Sequence, residues 1–419
     1  MKASESNPNY PSRLREMTNY TVREVKKVCK EIGPRPSGEE NEHKAQDYVA
    51  DSMSKVADSV VKEKFELHPK AFMGWVPLDV ILMTISIVLT LLSYFDALPS
   101  ASTAFSAVSV ALTAVAIIFT FFEFLLYKKF LDPFFPKRET YNVVCTRKAA
   151  GETKRRIVFS GHIDSAYEWY FTHLGGGKML TTMIGIAFGA IALTLAASII
   201  SFFDVPNGVK VTAIVVLFIC LIPILMCSKF VNWKLCVPGA NDNLTGVFAS
   251  MSVMRYMAAN DIRFENTEVV CVSMACEEAG LRGAKEYVKK HCGEDDVETV
   301  FVGTDTLRDF DDMGVYNKDM TGTVKLDKQA AAMLKHASDI AGYNLPYRCV
   351  SFGASDAAAI QQGGMKAIAL AAMDPTPARY YHTREDTADN LDPKTIEAGI
   401  NILLETAFLY DSEGLKDEY

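Results

Sequence analysis

The sequence predicts an α/β protein: a mixed, largely parallel sheet sandwiched by helices, with two transmembrane helical hairpins inserted into it. Three observations carry that reading. Short apolar runs alternate with helical patterns through the polar part of the chain. Four long apolar blocks fall in two pairs. These blocks are confined to the middle of the 419 residues, so that the first seventy and everything after Lys234 read as ordinary charged protein.

The alternation begins with a helical pattern over residues 14–31, closed by the breaker Gly33-Pro34-Arg35-Pro36-Ser37-Gly38. A second helix follows over 39–55 and a strand over 60–67. Residues 156–160 make a short apolar strand. Over 244–259, Val247, Met251, Met254 and Ala258 share one helical face. The strand 267–274 feeds a helix over 281–290, and strands at 300–302 and 367–371 flank a helix over 328–341. Such alternation builds a sandwich whose sites lie beyond the carboxyl ends of the strands.

Residues 76–95, 104–122, 179–203 and 211–227 are nearly free of charge, with Asp79 near the start of the first. A bilayer core needs about twenty apolar residues per helix, roughly 17 to 25. Paired across short loops, the blocks read as transmembrane hairpins over 73–128 and 179–231. The remainder, 1–72, 129–178 and 232–419, forms one polar domain. Two hairpins return the chain to the side it left. Lys70, Lys128, Lys129, Lys137, Arg138, Lys178, Lys229 and Lys234 lie on that side, with Lys210 alone across the membrane. The positive-inside rule therefore puts the polar domain in the cytoplasm.

Composition agrees with that location. Residues 1–20 are polar, without the apolar core of a cleaved signal peptide. The nine cysteines are scattered and form no C-x-x-C pair, which fits free thiols in a reducing compartment. A net charge of −8 without a basic run argues against nucleic acid as a partner.

Side chains that could do chemistry fall at the ends of the predicted strands. His162 and Asp164 follow the strand 156–160. Asp242 opens the helix beginning near Leu244. Glu277 and Glu278 follow the strand 267–274, Asp305 follows 300–302, and His382 lies past 367–371. Two imidazoles with several carboxylates suit zinc. In the Glu277–Glu278 pair one carboxylate is free to act as a base while its neighbour binds metal. Asp164, two residues after His162, is placed to accept the other imidazole N–H. Taken singly, each has another reading: Asp242 as a helix N-cap, the Glu pair as helix-dipole partners, Asp305 as part of a solvated loop with Asp309, Asp311 and Asp312.

Four motifs in order resemble metallopeptidase family twenty-eight, across the whole polar part of the chain. They are Gly161-His162-Ile163-Asp164, Gly239-Ala240-Asn241-Asp242-Asn243-Leu244-Thr245-Gly246, Glu277-Glu278-Ala279-Gly280-Leu281-Arg282-Gly283-Ala284 and His382-Thr383-Arg384-Glu385-Asp386-Thr387. The resemblance implies a zinc-exopeptidase-like fold and an aminopeptidase with two zinc ions and a peptide substrate. His162 and Asp305 would hold one zinc, Glu278 and His382 the other, and Asp242 would bridge. Glu277 would be the general base and Asp164 the partner of His162.

Three departures stand out. His162 and Asp242 are separated by the second hairpin, which the sheet tolerates only if the insertion leaves and re-enters at neighbouring points. Asp305 sits in Gly303-Thr304-Asp305-Thr306 rather than the usual Asn-x-Asp. Ala357 and Phe352 stand where the family often has His and Tyr, leaving Tyr380 or Tyr381 as the tyrosines next to His382. A non-catalytic receptor on this fold would have lost ligands, yet each position is filled. A transporter would need ionisable residues within its helices, and only Asp79 and Glu123 approach that, both near segment ends. A single-zinc aminoacyl cyclase shares the fold and remains the other enzyme reading.

Overall fold

A computed structural model describes residues 1–374 and 378–419. In chain order its first elements are α1 (Tyr10–Glu31), α2 (Glu40–Met53), β1 (Ser59–Leu67), α3 (Ala71–Tyr94), α4 (Ser102–Phe119), β2 (Arg138–Arg147) and β3 (Arg155–His162). There follow β4 (Tyr167–Trp169), α5 (Tyr170–Ile200), α6 (Asn207–Cys227), β5 (Val231–Cys236), α7 (Gly246–Ala259), β6 (Thr267–Met274) and α8 (Arg282–His291). The last are β7 (Glu298–Leu307), β8 (Met313–Asp319), β9 (Val324–Lys325), α9 (Lys328–Ile340), β10 (Tyr347–Cys349), α10 (Asp356–Gln362), β11 (Lys366–Ala372) and α11 (Pro393–Glu413).

The chain divides into two units. One comprises Met1–Pro69, Lys137–Tyr167 and Leu235–Tyr419; the other comprises Lys70–Pro136 and Glu168–Lys234. Residues 168–178, read from the sequence as polar domain, fall in the second unit because α5 begins at Tyr170, ahead of the apolar block.

The first unit is built on a mixed, mostly parallel sheet flanked by helices. Its strand order is β1-β2-β6-β3-β7-β11-β8-β10, with β9 beside β8. The four central strands β6, β3, β7 and β11 run parallel, while β1, β2 and β8 pair antiparallel to their inner neighbours. Parallel strands covered on both faces read as continuous apolar runs. Ile157-Val158-Phe159 and Val300-Phe301-Val302 do so, and all are fully buried.

Helix α7 packs on β3, β6 and β7. It comes close because glycines meet there: a Cβ on Gly161 would stand 2.4 Å from the backbone nitrogen of Val247. From β3 the chain continues to β6 on one side, and from β7 to β8 and β11 on the other. The direction therefore switches between the carboxyl ends of β3 and β7, where open α/β sheets leave a crevice. The insertion leaves and returns at adjacent points, since the N–H of Val237 donates to the carbonyl of Ala166 at 2.9 Å.

The second unit has the opposite polarity pattern to a soluble domain. Helices Ala71–Tyr94, Pro99–Leu125, Tyr170–Ile200 and Asn207–Cys227 are each apolar and long enough to span a membrane. Their large side chains point outward, with Ile81, Val211, Ile219 and Ile222 each more than half exposed. Hydroxyls occupy the interior. Ser86 contacts Ser109 at 2.6 Å and Thr113 at 2.7 Å, and Thr90 joins Ser109 at 2.6 Å and Ser198 at 2.7 Å. Small hydroxyl residues between helices let backbones approach and satisfy one another where water is absent. Helix α3 starts five residues before the apolar block read from the sequence, so Asp79 lies about two turns inside it rather than near its end.

Candidate metal centre

His162 ends β3, and Asp305 stands within β7 near its carboxyl end, on the two sides of the topological switch. The sequence had ended the latter strand at Val302. Glu277 and Glu278 leave β6, Asp242 precedes α7, and His382 follows β11 by ten residues in a left-handed conformation, φ 52°. The fold brings all of these to one place. Nε2 of His162 lies 3.1 Å from Oδ1 of Asp242, 3.9 Å from Glu277 and 4.0 Å from Asp305. Nε2 of His382 lies 3.2 Å from Oδ2 of Asp242 and 3.2 Å from Oε1 of Glu278.

Three groups of potential ligands result: His162, Asp242 and Asp305; Asp242, Glu278 and His382; and His162, Glu277 and Glu278. Within each, the ligand atoms lie within 4.8 Å of one another. The first two groups share Asp242, which turns one oxygen to each histidine. Oδ2 of Asp242 and Oε1 of Glu278 are buried without a hydrogen-bond partner. Two ligands each about 2.0–2.1 Å from a tetrahedral zinc stand roughly 3.3 Å apart. The 3.1 and 3.2 Å separations match that spacing, and imidazole with carboxylate is a donor set zinc accepts. The residues fit zinc.

The electrostatics also call for a cation. Burial pushes the carboxyl of Asp305 up to about 7, with Asp242 and Glu278 adding to the rise and His162 opposing it. Burial raises Glu277 well above the usual range; His162 pulls it back, while Glu278, Asp356 and Asp305 push further. Burial would lower His382, but Glu278 and Asp242 outweigh it and hold the imidazole at about 10. Asp356, at the start of α10, is raised to about 7 by burial and the nearby carboxylates, against the pull of His162.

Several positioning residues escaped the sequence reading. Asp386 accepts the N–H groups of Asn241 at 2.8 Å and Asp242 at 3.0 Å, fixing the segment that carries Asp242. Asn243 bridges that segment to β7: its amide donates to the carbonyl of Thr304 at 2.8 Å, and its oxygen accepts the N–H of Thr306 at 3.1 Å. Glu42 of α2 accepts the N–H of Cys276 at 2.9 Å, just before the Glu pair. Arg35, fully buried, donates to the carbonyls of Gly33, Ile163, Pro238 and Gly239 at 2.6–3.0 Å, clamping the loops after His162 and before Asp242. The one available signal was the Asn-Asp-Asn and His-Thr-x-x-Asp context of the ligands.

Asp164 stands 3.4 Å from Nδ1 of His162, a long contact for a hydrogen bond. Its carboxylate is occupied more fully elsewhere. It accepts the hydroxyl of Ser37 at 2.7 Å and the backbone N–H groups of Glu277 and Glu278, both at 3.0 Å. Asp164 thus presents both glutamates. Tyr380 donates its hydroxyl to Asp309 at 2.6 Å, and the ring of Tyr381 stacks on His382.

A mostly parallel sheet with imidazoles and carboxylates beyond its carboxyl edge defines a zinc-exopeptidase-like class. The comparisons agree with that. Residues 227–407, the part of the chain that carries Asp242, the Glu pair, Asp305 and His382, match the model of peptidase family M28. None of the curated proteins matches the sequence. Among solved structures, the zinc aminopeptidase BSAP from Bacillus subtilis superposes with a TM-score of 0.53 at 12% identity, covering 95% of each chain. The LapA aminopeptidase of Legionella pneumophila gives 0.54 at 12% identity, over 96% of this chain and 73% of that one. A glutaminyl cyclase from Fimbriiglobus ruber gives 0.54 at 13% identity, over 94% of this chain and 95% of that one. At such identities the likeness is one of fold.

Proposed function

We propose that the chain is a membrane-bound metallo-exopeptidase of the aminopeptidase type, with two zinc ions and a peptide substrate, its peptidase unit facing the cytoplasm. The observation that carries this reading is the carboxylate of Asp242, which turns one oxygen toward His162 and the other toward His382. His162, Asp242 and Asp305 would hold one ion; Asp242, Glu278 and His382 would hold the other. The four apolar helices and the lysine and arginine distribution support the membrane anchor and its orientation.

Bound zinc would supply a Lewis acid and lower the pKa of water toward neutrality. Glu277, which stands 3.9 Å from His162 and belongs only to the third of the ligand groups, would take a proton from the attacking water at its carboxylate as the water oxygen adds to the peptide carbonyl carbon. It would then hand that proton to the amine nitrogen as the C–N bond breaks, leaving a free carboxylate and a free amine. Asp164 holds Glu277 and Glu278 in place through their N–H groups. Burial of the surrounding side chains excludes bulk water and strengthens every charge interaction there.

The test is hydrolysis of a library of peptides with free N-termini by the purified full chain, with and without chelator, beside a zinc-loaded Glu277→Gln variant. Chelator-sensitive release of N-terminal residues, absent in the variant, is the expected result. Unchanged turnover in the variant would overturn the assignment of Glu277. A second reading rests on the glutaminyl cyclase among the similar folds: a single zinc on Asp242, Glu278 and His382 serving cyclisation of an N-terminal glutamine. Peptides beginning with glutamine, cyclised without residue release, would favour it.

A further inference from the structure

The loop after β7 and the stretch between β11 and α11 enclose an open cleft of about 940 Å³ within the first unit. That is the upper end of the roughly 300–1,000 Å³ of ligand-binding clefts. Its wall carries six carboxylates and two guanidiniums. The cleft adjoins the proposed metal centre. Tyr380 and Glu385 in its wall stand two residues before and three after His382. Asn390, also in the wall, accepts the amide of Asn241, the neighbour of Asp242, at 2.6 Å.

Half of the carboxylates are already engaged. Asp309 pairs with Arg308 and accepts the hydroxyl of Tyr380 at 2.6 Å. Asp312 faces Arg348 at 3.4 Å, and Asp392 caps α11 through the N–H groups of Lys394 and Thr395. Asp311, Glu385 and Asp389 differ: all three are exposed, and their carboxylates have no ion pair or hydrogen bond among the described residues. Arg379 is the one guanidinium of the wall equally without a partner there, too little to balance three carboxylates. Nor do the three converge within metal-ligating reach among the described residues, so a single small cation could not meet them all. Cations spaced along a chain could. Phe310, 44% exposed, adds to the wall an aromatic face on which a guanidinium can stack.

We propose that this cleft receives a basic peptide, whose arginine or lysine side chains pair with Asp311, Glu385 and Asp389. This assignment rests on the aminopeptidase reading and narrows its substrate class to peptides with basic side chains. Arginine suits the cleft better than lysine, because its planar fork meets a carboxylate through two N–H groups and also stacks on an aromatic ring. An acidic peptide would set like charges together. A metal ion would leave most of the space unfilled.

The probe is a pentapeptide with a free N-terminus, two arginines and a C-terminal fluorescein. Its binding to the chelator-treated full chain in neutral detergent is read by fluorescence anisotropy. A second peptide carries citrulline, the uncharged isostere of arginine, at both positions. At low salt the arginine peptide is expected to bind about tenfold tighter, and the difference to shrink at high salt as the charges are screened. The triple variant Asp311→Asn, Glu385→Gln, Asp389→Asn is expected to lose that difference. A control triple, Glu31→Gln, Asp51→Asn, Glu152→Gln, removes as many exposed carboxylates elsewhere and is expected to keep it. Equal binding of the two peptides, a difference that survives in the first triple variant, or one lost equally in the control would overturn the proposal. Hydrolysis of the same peptides by the zinc-loaded chain is scored separately. A binding preference without release of N-terminal residues would overturn the aminopeptidase reading and leave the basic-peptide cleft standing.

Discussion

Asp386 carries Asp242 by its backbone, with Oδ2 of Asp386 accepting the N–H of Asp242 at 3.0 Å while Oδ1 takes the N–H of Asn241 at 2.8 Å. Burial, and next the charge of Asp242, push the carboxyl of Asp386 up to about 7. The carboxylate proposed to bridge two metal positions is thus held from behind by a second one. Groups that orient metal ligands typically contribute about 10–100-fold in metal affinity. Asp386→Ala is therefore expected to weaken zinc binding by about that factor, as read by competition with a chromophoric chelator. Unaltered affinity would mean that the segment around Asp242 is held by its other contacts.

Glu277→Gln addresses the proposed base. General acid–base catalysis contributes about 10²- to 10⁴-fold. Turnover is expected to fall by that order while zinc content is unchanged, checked by kinetics and metal analysis on the same preparation.

Arg35 supplies a stability test. Its guanidinium joins the loop after His162 to the one before Asp242 through the carbonyls of Ile163, Pro238 and Gly239. Removing it leaves buried acceptors unpaired, at about 1–3 kcal/mol each. Arg35→Met is expected to destabilise the first unit by about 3 kcal/mol or more and to loosen the proposed zinc binding with it. Denaturant unfolding with and without zinc measures both.

The pair His291 and Glu63 predicts a pH dependence away from the centre. Nε2 of His291 lies 3.0 Å from Glu63, and Nδ1 lies 2.6 Å from Glu294. Burial opposes the charged imidazole, but these two carboxylates outweigh it and raise the His291 pKa above its ordinary 6.5. A raised histidine stabilises the folded state fully below its unfolded pKa and loses that contribution as pH rises through the folded value. The stability advantage of the wild type over His291→Gln is expected to be largest below pH 6.5 and to shrink above it. Unfolding curves at pH 6 and pH 9 check the sign, and an advantage that grows with pH would contradict it.

Most of the proposed ligands were legible because they sit at or near a strand end or just ahead of a helix, whereas His382 lies in a loop ten residues past β11. Their supports were not. Asn243 and Asp386 act on backbone N–H groups contributed by distant segments, and in the sequence Asn243 looks like part of a helix cap. Glu42 reaches Cys276 across 234 residues. Asp164 could be tied to His162 from its spacing, but nothing local announced that its oxygens take the N–H groups of Glu277 and Glu278. Helix α11 was missed because it is buried nearly all round, from Thr395 to Tyr410, and shows little of the apolar stripe that marks a surface helix. Strand β2 was hidden by its charged ends, Arg138-Glu139 and Arg147. The start of α3 was displaced because Trp75, Pro77 and Asp79 blur the apolar block there.

Zinc stoichiometry of the purified full chain, by mass spectrometry of the metal alongside protein quantification, bears most directly on the centre. Two zinc ions per chain, falling to one or none in Asp242→Ala, is the predicted result. A single zinc in the wild type, or two that persist in Asp242→Ala, would contradict a centre joined through Asp242.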